Sequence, residues 1–131
     1  MSDLQIVSVK LPNTEIVVVR LEGVLDSPAV PELESAVKQW LDKSIVHFIF
    51  DLSGITRMTS SGAGFFIQLH RLLCDHRGIL LFTKLPQIVK DMFDLIGLTL
   101  YINIVPDLPS ARAIMDKIIQ GKEVKGIKIG W

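Results

Sequence analysis

Residues 57–64 have the sequence Arg-Met-Thr-Ser-Ser-Gly-Ala-Gly, which places three hydroxyl side chains before two glycines. In a serine hydrolase, glycines two residues before and two residues after the nucleophile allow its strained turn, and neither Ser60 nor Ser61 has both. The glycines do not complete a dinucleotide-binding G-x-G-x-x-G either, because Ile67 occupies the third glycine position. We therefore assign no catalytic residue and expect that the protein is not an enzyme.

The same hydroxyl side chains lie where a helix is expected to begin. After them, apolar residues recur at three- and four-residue intervals as far as Gly78. The first amide groups of a helix lack partners and carry partial positive charge, so Thr59, Ser60 or Ser61 can cap this helix. The same amides tolerate a phosphate, so one serine could instead be a phosphorylation site. The residues alone leave both interpretations open.

The 131-residue chain has no net charge, because fourteen Lys and Arg balance fourteen Asp and Glu. No long-range field therefore favours nucleic acid, an anionic membrane or an acidic substrate. The single cysteine, Cys74, cannot form an internal disulfide, and the histidines at positions 47, 70 and 76 lack a metal-ligand spacing. We expect no metal, no cofactor and a reducing compartment.

Mean hydropathy is high at +0.42. The longest apolar runs, such as residues 16–19, are nevertheless far shorter than the ~18 to 20 residues of a membrane-spanning helix. The chain begins Met-Ser-Asp-Leu, with an acid where a secretion signal carries basic residues. These features predict a cytoplasmic protein without direct membrane insertion.

Predicted helices and strands alternate along the chain. Two strand-like runs around a Pro-Asn-Thr turn predict an antiparallel hairpin of residues 4–10 and 15–21. Residues 45–52 are almost continuously apolar, which favours a central strand covered on both faces, followed by a connector over residues 53–60. Further strands are predicted at residues 79–82 and 101–105, and helices from 28 or 31 to 42, from about 60 to Gly78, from Pro86 to Gly97, and from Asp107 or Ser110 onward. The pattern predicts one α/β domain over residues 1–119, with a mostly parallel sheet of about five strands, a leading antiparallel hairpin and about four helices.

Residues 120–131 form a C-terminal tail in which Ile127, Ile129 and Trp131 alternate with other residues. Such a tail either packs on its own chain or adds as an extra edge strand to another copy or a partner. The zero net charge and the apolar tail also leave a homodimer open.

Five separated segments have an order and spacing that are specific in combination: Gly-Val-Leu-Asp at 23–26, Phe-Asp-Leu-Ser at 50–53, Ser-Ser-Gly-Ala-Gly at 60–64, Gly78, and residues 89–98. Over roughly residues 4–119 they resemble the STAS domain family, in particular the bacterial anti-sigma factor antagonists, or anti-anti-sigma factors. In that family the second serine of the pair is phosphorylated by an anti-sigma factor that is an ATP-using serine kinase. The resemblance implies phosphorylation of Ser61, with Ser60 as the fallback acceptor.

The resemblance also implies a non-catalytic regulator of transcription that works by partner switching. The unphosphorylated protein would bind the anti-sigma serine kinase and free the sigma factor. The phosphorylated protein would release the kinase until a phosphatase removes the phosphate. A dianion introduced at a contact surface loses hydration or meets like charge, so one serine can control the complex.

The resemblance assigns partner binding to Asp26, Thr59, Ser60, Ser61 and Gly62. Asp26 has a second interpretation, as a cap or turn acceptor near the first helix. Members that cycle through phosphorylation commonly have aspartate before the serine pair, where this chain has Thr59. The alternative function is therefore a constitutive STAS subunit of another complex, such as a lipid-transport ATPase or a stress-signalling assembly, without regulation by phosphorylation.

Overall fold

A computed structural model describes residues 2–131 as a five-stranded sheet with helices packed on both faces. The strands are β1 (Leu4–Lys10), β2 (Ile16–Leu25), β3 (His47–Met58), β4 (Ile79–Phe82) and β5 (Asn103–Ile104). The α-helices are α1 (Val30–Leu41), α2 (Ser60–Asp75), α3 (Gln87–Leu95) and α4 (Leu108–Ile119). Short 3-10 helices precede α1 at Ser27–Ala29 and follow α3 at Leu98–Leu100.

The strands lie in chain order across the sheet, β1-β2-β3-β4-β5. β1 pairs with β2 in antiparallel orientation, and all other neighbours are parallel. Parallel neighbours need a crossover connection, and helices supply it here. The predicted α/β fold with a leading antiparallel hairpin is confirmed.

One face of the sheet carries the larger part of the core, because alternate residues of the strands point toward α1, α2 and α3. The ring of Phe66 on α2 contacts Phe50, Phe82 and Phe93 edge-on, with centroid separations of 5.1, 5.1 and 5.7 Å. All four rings are fully buried. Edge-to-face aromatic pairs add to the free energy gained by burial alone. This cluster fixes α2 on the sheet and so determines where its first turn lies.

The second face is covered by α4 and by residues 124–129 of the tail. Val124, Ile127 and Ile129 pack against the buried cluster beneath α4. The Asn103 side-chain amide donates to the Lys128 carbonyl and its oxygen accepts the Lys128 N–H, both at 2.7 Å. The tail thus lies along β5 of its own chain without forming a strand.

The central strand is longer than predicted, and the connector expected over residues 53–60 is wrong. β3 continues to Met58 beside β2, which itself extends to Leu25 instead of ending at residue 21. The polar residues that suggested a connector are exposed positions of the strand, while Ile55 and Met58 are buried between them. Pairing with a strand distant in sequence therefore outweighs local composition.

The last strand is shorter than predicted. Only Asn103 and Ile104 pair with β4, and the preceding residues through Leu100 form a 3-10 helix. β4 has just four residues, and β5 pairs with the last two of them. The strand begins late because the Tyr101 N–H still donates to the Leu98 carbonyl of the 3-10 helix, at 2.9 Å, and residues 101 and 102 do not pair with Ile79 and Leu80.

His47, the first residue of β3, is 9% exposed and its buried Nδ1 has no hydrogen-bond partner within residues 2–131. Burial lowers the pKa of His47 from its ordinary value of 6.5, with a smaller opposing effect from the charge of Glu15. The unfolded chain therefore takes up a proton near pH 6.5 that the folded chain still resists. The free energy of unfolding should fall as the pH drops below this value.

Replacing His47 by Gln should make this pH dependence shallower. The measurement is urea unfolding of the parent and the His47→Gln variant at several pH values from about 7.5 to 5.5, above the range where carboxyl groups titrate. Burial also lowers the pKa of His70, so a residual slope of the same sign is expected in the variant. Identical slopes in both proteins would contradict the assignment to His47.

Candidate functional site

The first turn of α2 is capped by Thr59. Its backbone is extended (φ −97°, ψ 166°), its Oγ1 accepts the Gly62 N–H at 3.2 Å, and its carbonyl accepts the Ala63 N–H at 2.9 Å. Of the three hydroxyl residues that could cap the helix, the structure thus uses the first. Threonine performs the hydrogen bonding of a capping aspartate without its negative charge.

Ser60 and Ser61 occupy the first two positions of α2, and both are exposed. Within residues 2–131 neither hydroxyl makes a hydrogen bond, and the capping bond is made by Thr59. Their own N–H groups belong to the first turn, which has no intrahelical acceptor. Each serine therefore presents a free hydroxyl at the positive end of a sixteen-residue helix.

Gly62 is buried and has a packing role. A Cβ added at Gly62 would lie 2.2 Å from the carbonyl oxygen of Leu25, the last residue of β2. The same carbonyl accepts the Thr59 N–H at 3.0 Å. The helix start can approach the end of β2 this closely only because position 62 has no side chain. Gly62 can therefore position the residues of a partner surface, but it has no side chain with which to contact a partner.

Gly62→Ala should lower the free energy of unfolding by about 1 to 3 kcal/mol, since the methyl group meets backbone atoms that cannot move aside. Gly64→Ala is the matched control, because a Cβ at Gly64 meets no atom within 4 Å. That second substitution should be neutral or stabilising by up to about 1 kcal/mol, since alanine favours helix. Urea unfolding of both variants measures the difference, and equal stabilities would refute the close-packing role.

Asp26 follows directly after β2. Its Oδ1 is buried and has no hydrogen-bond partner among residues 2–131, while the residue as a whole is partly exposed. Asp26 lies at the N-cap of the short 3-10 helix, yet only its backbone carbonyl is used there, accepting the Ala29 N–H at 3.0 Å. The side chain is therefore not a cap. A buried acceptor without a donor is uncommon and costs free energy.

The ends of β2 and β3 bring these residues together. Leu25 pairs with Met58, so Asp26 and Thr59 are each the next residue beyond the last paired position. In parallel sheets, loops at the carboxyl ends of adjacent strands lie at one edge, where functional sites commonly form. Asp26 and the first turn of α2 consequently share one surface.

A groove between α1 and α2 was not anticipated from the sequence. Its volume is about 310 Å³, and it is lined by Glu34, Val37, Lys38, Leu41, Phe65, Gln68, Leu69 and Leu72. Phe65 lies one helical turn after Ser61, and Leu72 farther along α2 is 39% exposed. The sequence signals this groove only through the broad apolar face of α2. Helical periodicity does not say which part of such a face packs in the core and which part lines a surface groove.

A larger cavity lies elsewhere and includes none of the predicted site residues. It has a volume of about 520 Å³ and is bordered by residues of β1, β2 and β3 on the α4 side of the sheet. Among residues 2–131 no group of His, Cys, Asp or Glu side chains has an arrangement suited to a metal ion. Over the same range, no helix has both the length and the apolar character needed to cross a membrane.

The family model of the STAS domain matches residues 7–111. Similar solved structures include an anti-sigma factor antagonist from Mycobacterium paratuberculosis, 19% identical, with a TM-score of 0.75 over 86% of this chain and 94% of that chain. The anti-sigma factor antagonist SpoIIAA in its unphosphorylated form is 22% identical, with a TM-score of 0.68 over 92% of this chain and 99% of that chain. The Bacillus cell fate determinant SpoIIAA in the phosphorylated form is 21% identical, with a TM-score of 0.62 over 88% of this chain and 98% of that chain.

At these identities the structural likeness concerns the fold. The family match is independent of it and covers most of the chain, including β2, β3 and the first turn of α2. The resemblance predicted from the separated sequence segments is thereby confirmed. The chain belongs to the STAS domain family.

Proposed function

We propose that the protein is an anti-sigma factor antagonist whose binding to an anti-sigma serine kinase is controlled by phosphorylation of Ser61. The observation that carries the proposal is the free, exposed Ser61 hydroxyl at the start of α2, beside the unpartnered Asp26 carboxyl oxygen. The existence of phosphorylated and unphosphorylated SpoIIAA with the same fold supports it. In this proposal the protein is a substrate of phosphoryl transfer and performs no catalysis itself.

In the unphosphorylated state, the first turn of α2 and Asp26 contact the partner. The exposed part of the Asp26 carboxylate supplies the partner with an acceptor for an N–H or a cationic group. The groove that contains Phe65 extends the contact with apolar surface. Apolar area supplies affinity at such an interface, and the polar group at its edge supplies orientation.

Phosphoryl transfer joins the Ser61 hydroxyl oxygen to the γ-phosphorus of ATP. The bond from that phosphorus to the β–γ bridging oxygen breaks, ADP leaves, and the hydroxyl proton passes to a base of the kinase. The product carries about −1.5 to −2 charge at neutral pH. The α2 N-terminus tolerates this charge, so the domain stays folded while the partner meets a dianion at the contact surface. A phosphatase restores the hydroxyl by hydrolysis.

Thr59 bears on the same proposal. It keeps the hydrogen bonds that begin α2, so the presentation of Ser61 does not depend on the aspartate common at this position in phosphorylated relatives. One negative charge is nevertheless missing from the surface that would face the kinase. This charge difference favours a second candidate function, a STAS subunit that stays bound to another complex without phosphorylation.

Peptide mapping and intact mass of the protein from its native cells, grown under several conditions, test the proposal. A condition-dependent fraction with one phosphate on Ser61 is expected. Incubation with the cognate kinase and ATP should label the parent protein and the Ser60→Ala variant, but not Ser61→Ala. Labelling that is lost only in Ser60→Ala would place the phosphorylation site at Ser60. Unmodified protein under every condition, together with ATP-insensitive co-purification of a partner, would favour the constitutive subunit.

A further inference from the structure

The two edge strands of the sheet, β5 and β1, differ in what lies beside them. Beside β5 the chain's own tail is held by two hydrogen bonds between the Asn103 side-chain amide and the Lys128 backbone. β1 forms the other edge and pairs only with β2. Unpaired edge strands present a row of free backbone groups to other strands, and proteins usually protect them.

The backbone hydrogen bonds identify which groups of β1 are free. The Leu11 N–H donates to the Ile16 carbonyl and the Val24 N–H donates to the Asp3 carbonyl, both across the β1–β2 pair. In an antiparallel pair the direction of the bonds alternates from residue to residue. The odd-numbered residues of β1 therefore bond to β2. The N–H and carbonyl groups of the even-numbered residues point away from the sheet: Leu4, Ile6, Ser8 and Lys10.

Little in β1 protects this edge. The strand contains no proline and pairs with β2 without a register shift, and its only charged residue is Lys10 at the end. Two apolar side chains are exposed on the α4 side, Val7 at 58% and Val9 at 54%. Edge strands that avoid association usually carry a central charge, a proline or a bulge.

We propose that β1 pairs in antiparallel orientation with β1 of a second copy, around a two-fold axis at Val7. In this register Leu4 bonds with Lys10 of the second copy and Ile6 bonds with Ser8, so every outward-pointing backbone group of β1 finds a partner. A shift by one residue would oppose outward groups to inward groups. A shift by two residues would leave the last outward residue of each strand without a partner. Only the register centred on Val7 therefore gives every outward-pointing backbone group of β1 a hydrogen-bond partner.

The side chains agree with this register. Val7 faces Val7 of the second copy in a non-hydrogen-bonded pair, in which Cα atoms lie about 4.5 Å apart and side chains touch. Val9 faces Gln5, and Lys10 faces Leu4, so no like charges oppose each other directly across the seam. A seven-residue strand gives a seam about 24 Å long, at the low end of interface sizes. The expected dimer is therefore weak, with a dissociation constant of roughly tens to hundreds of micromolar.

Disulfide trapping in a Cys74→Ser background tests the register. With oxidised glutathione, Val7→Cys should cross-link into a covalent dimer, since facing Cα atoms at about 4.5 Å are within the range that a disulfide spans. Val9→Cys is the matched control, because two Val9 residues would lie about 14 Å apart along the seam. Equal cross-linking at both positions, or at the exposed Leu95→Cys, would overturn the proposed register.

Sedimentation equilibrium of the full chain tests association itself. The parent should show concentration-dependent dimer, and Val7→Lys should weaken it by about tenfold or more, because the two lysines would face each other. Leu95→Lys makes the same chemical change at a residue that is 78% exposed on α3, and should leave the dimer unchanged. A parent that stays monomeric at millimolar concentration, or a dimer insensitive to Val7→Lys, would overturn the proposal. Neither outcome depends on phosphorylation of Ser61.

Discussion

Ser61→Glu is expected to weaken binding of the anti-sigma partner by about a hundredfold, or about 2.7 kcal/mol. The substitution places a permanent negative charge at the second position of α2, where phosphorylation would add a larger one. The helix start accommodates a carboxylate well, so the domain should remain as stable as the parent. The loss would therefore come from the interface. The measurement is titration calorimetry with the purified partner, alongside urea unfolding of each variant.

Two controls separate charge from other effects. Ser61→Ala removes the hydroxyl without adding charge and should bind as tightly as the parent, while resisting inhibition by kinase and ATP. Gln120→Glu adds a carboxylate of similar size at an exposed position that follows α4, on the other face of the sheet, and should not change affinity. If Ser61→Glu also binds as tightly as the parent, α2 is not the switch and the constitutive subunit becomes the better function.

Phe66→Ala is expected to give the largest loss of stability among single substitutions, about 3 to 5 kcal/mol. Its ring is fully buried and contacts Phe50, Phe82 and Phe93 at once, so its removal leaves a cavity bordered by both the sheet and α3. The whole free energy of unfolding of a small domain is only about 5 to 15 kcal/mol. The variant should unfold at much lower urea concentration and also bind its partner poorly, because α2 loses its main attachment.

Leu95→Ala is the control for this substitution, since Leu95 is 78% exposed and its truncation creates no cavity. That variant should differ from the parent by less than about 0.5 kcal/mol. Phe66→Leu should recover part of the loss, because it fills most of the volume without restoring the edge-on contacts. A small effect of Phe66→Ala would mean that the neighbouring rings close over the cavity and that α2 is held elsewhere.

Much of the fold was predictable from the sequence because its signals are local. The continuous apolar run that begins at residue 45 and the helical spacing after Ser61 depend on neighbours a few residues away, and both elements are present. The family was predictable because five separated motifs occur together, although each is weak alone. The predicted strand boundaries are wrong where the pairing strand is distant in the sequence. β3 runs on to Met58 because β2 lies beside it, and β5 has only two residues because it pairs with just the last two residues of β4.

The sequence by itself determined an α/β chain of the STAS family with a hydroxyl cluster at the start of a helix. The tertiary structure decided which residue has which role in that cluster. Thr59 forms the cap, Gly62 allows contact with Leu25, and Ser61 is left exposed with a free hydroxyl. The same holds for Asp26, whose unpartnered oxygen results from its burial at the end of β2. The physical reason is common to all of them: periodicity and propensity act over a few residues, whereas burial, hydrogen-bond satisfaction and edge exposure depend on segments brought together from different parts of the chain.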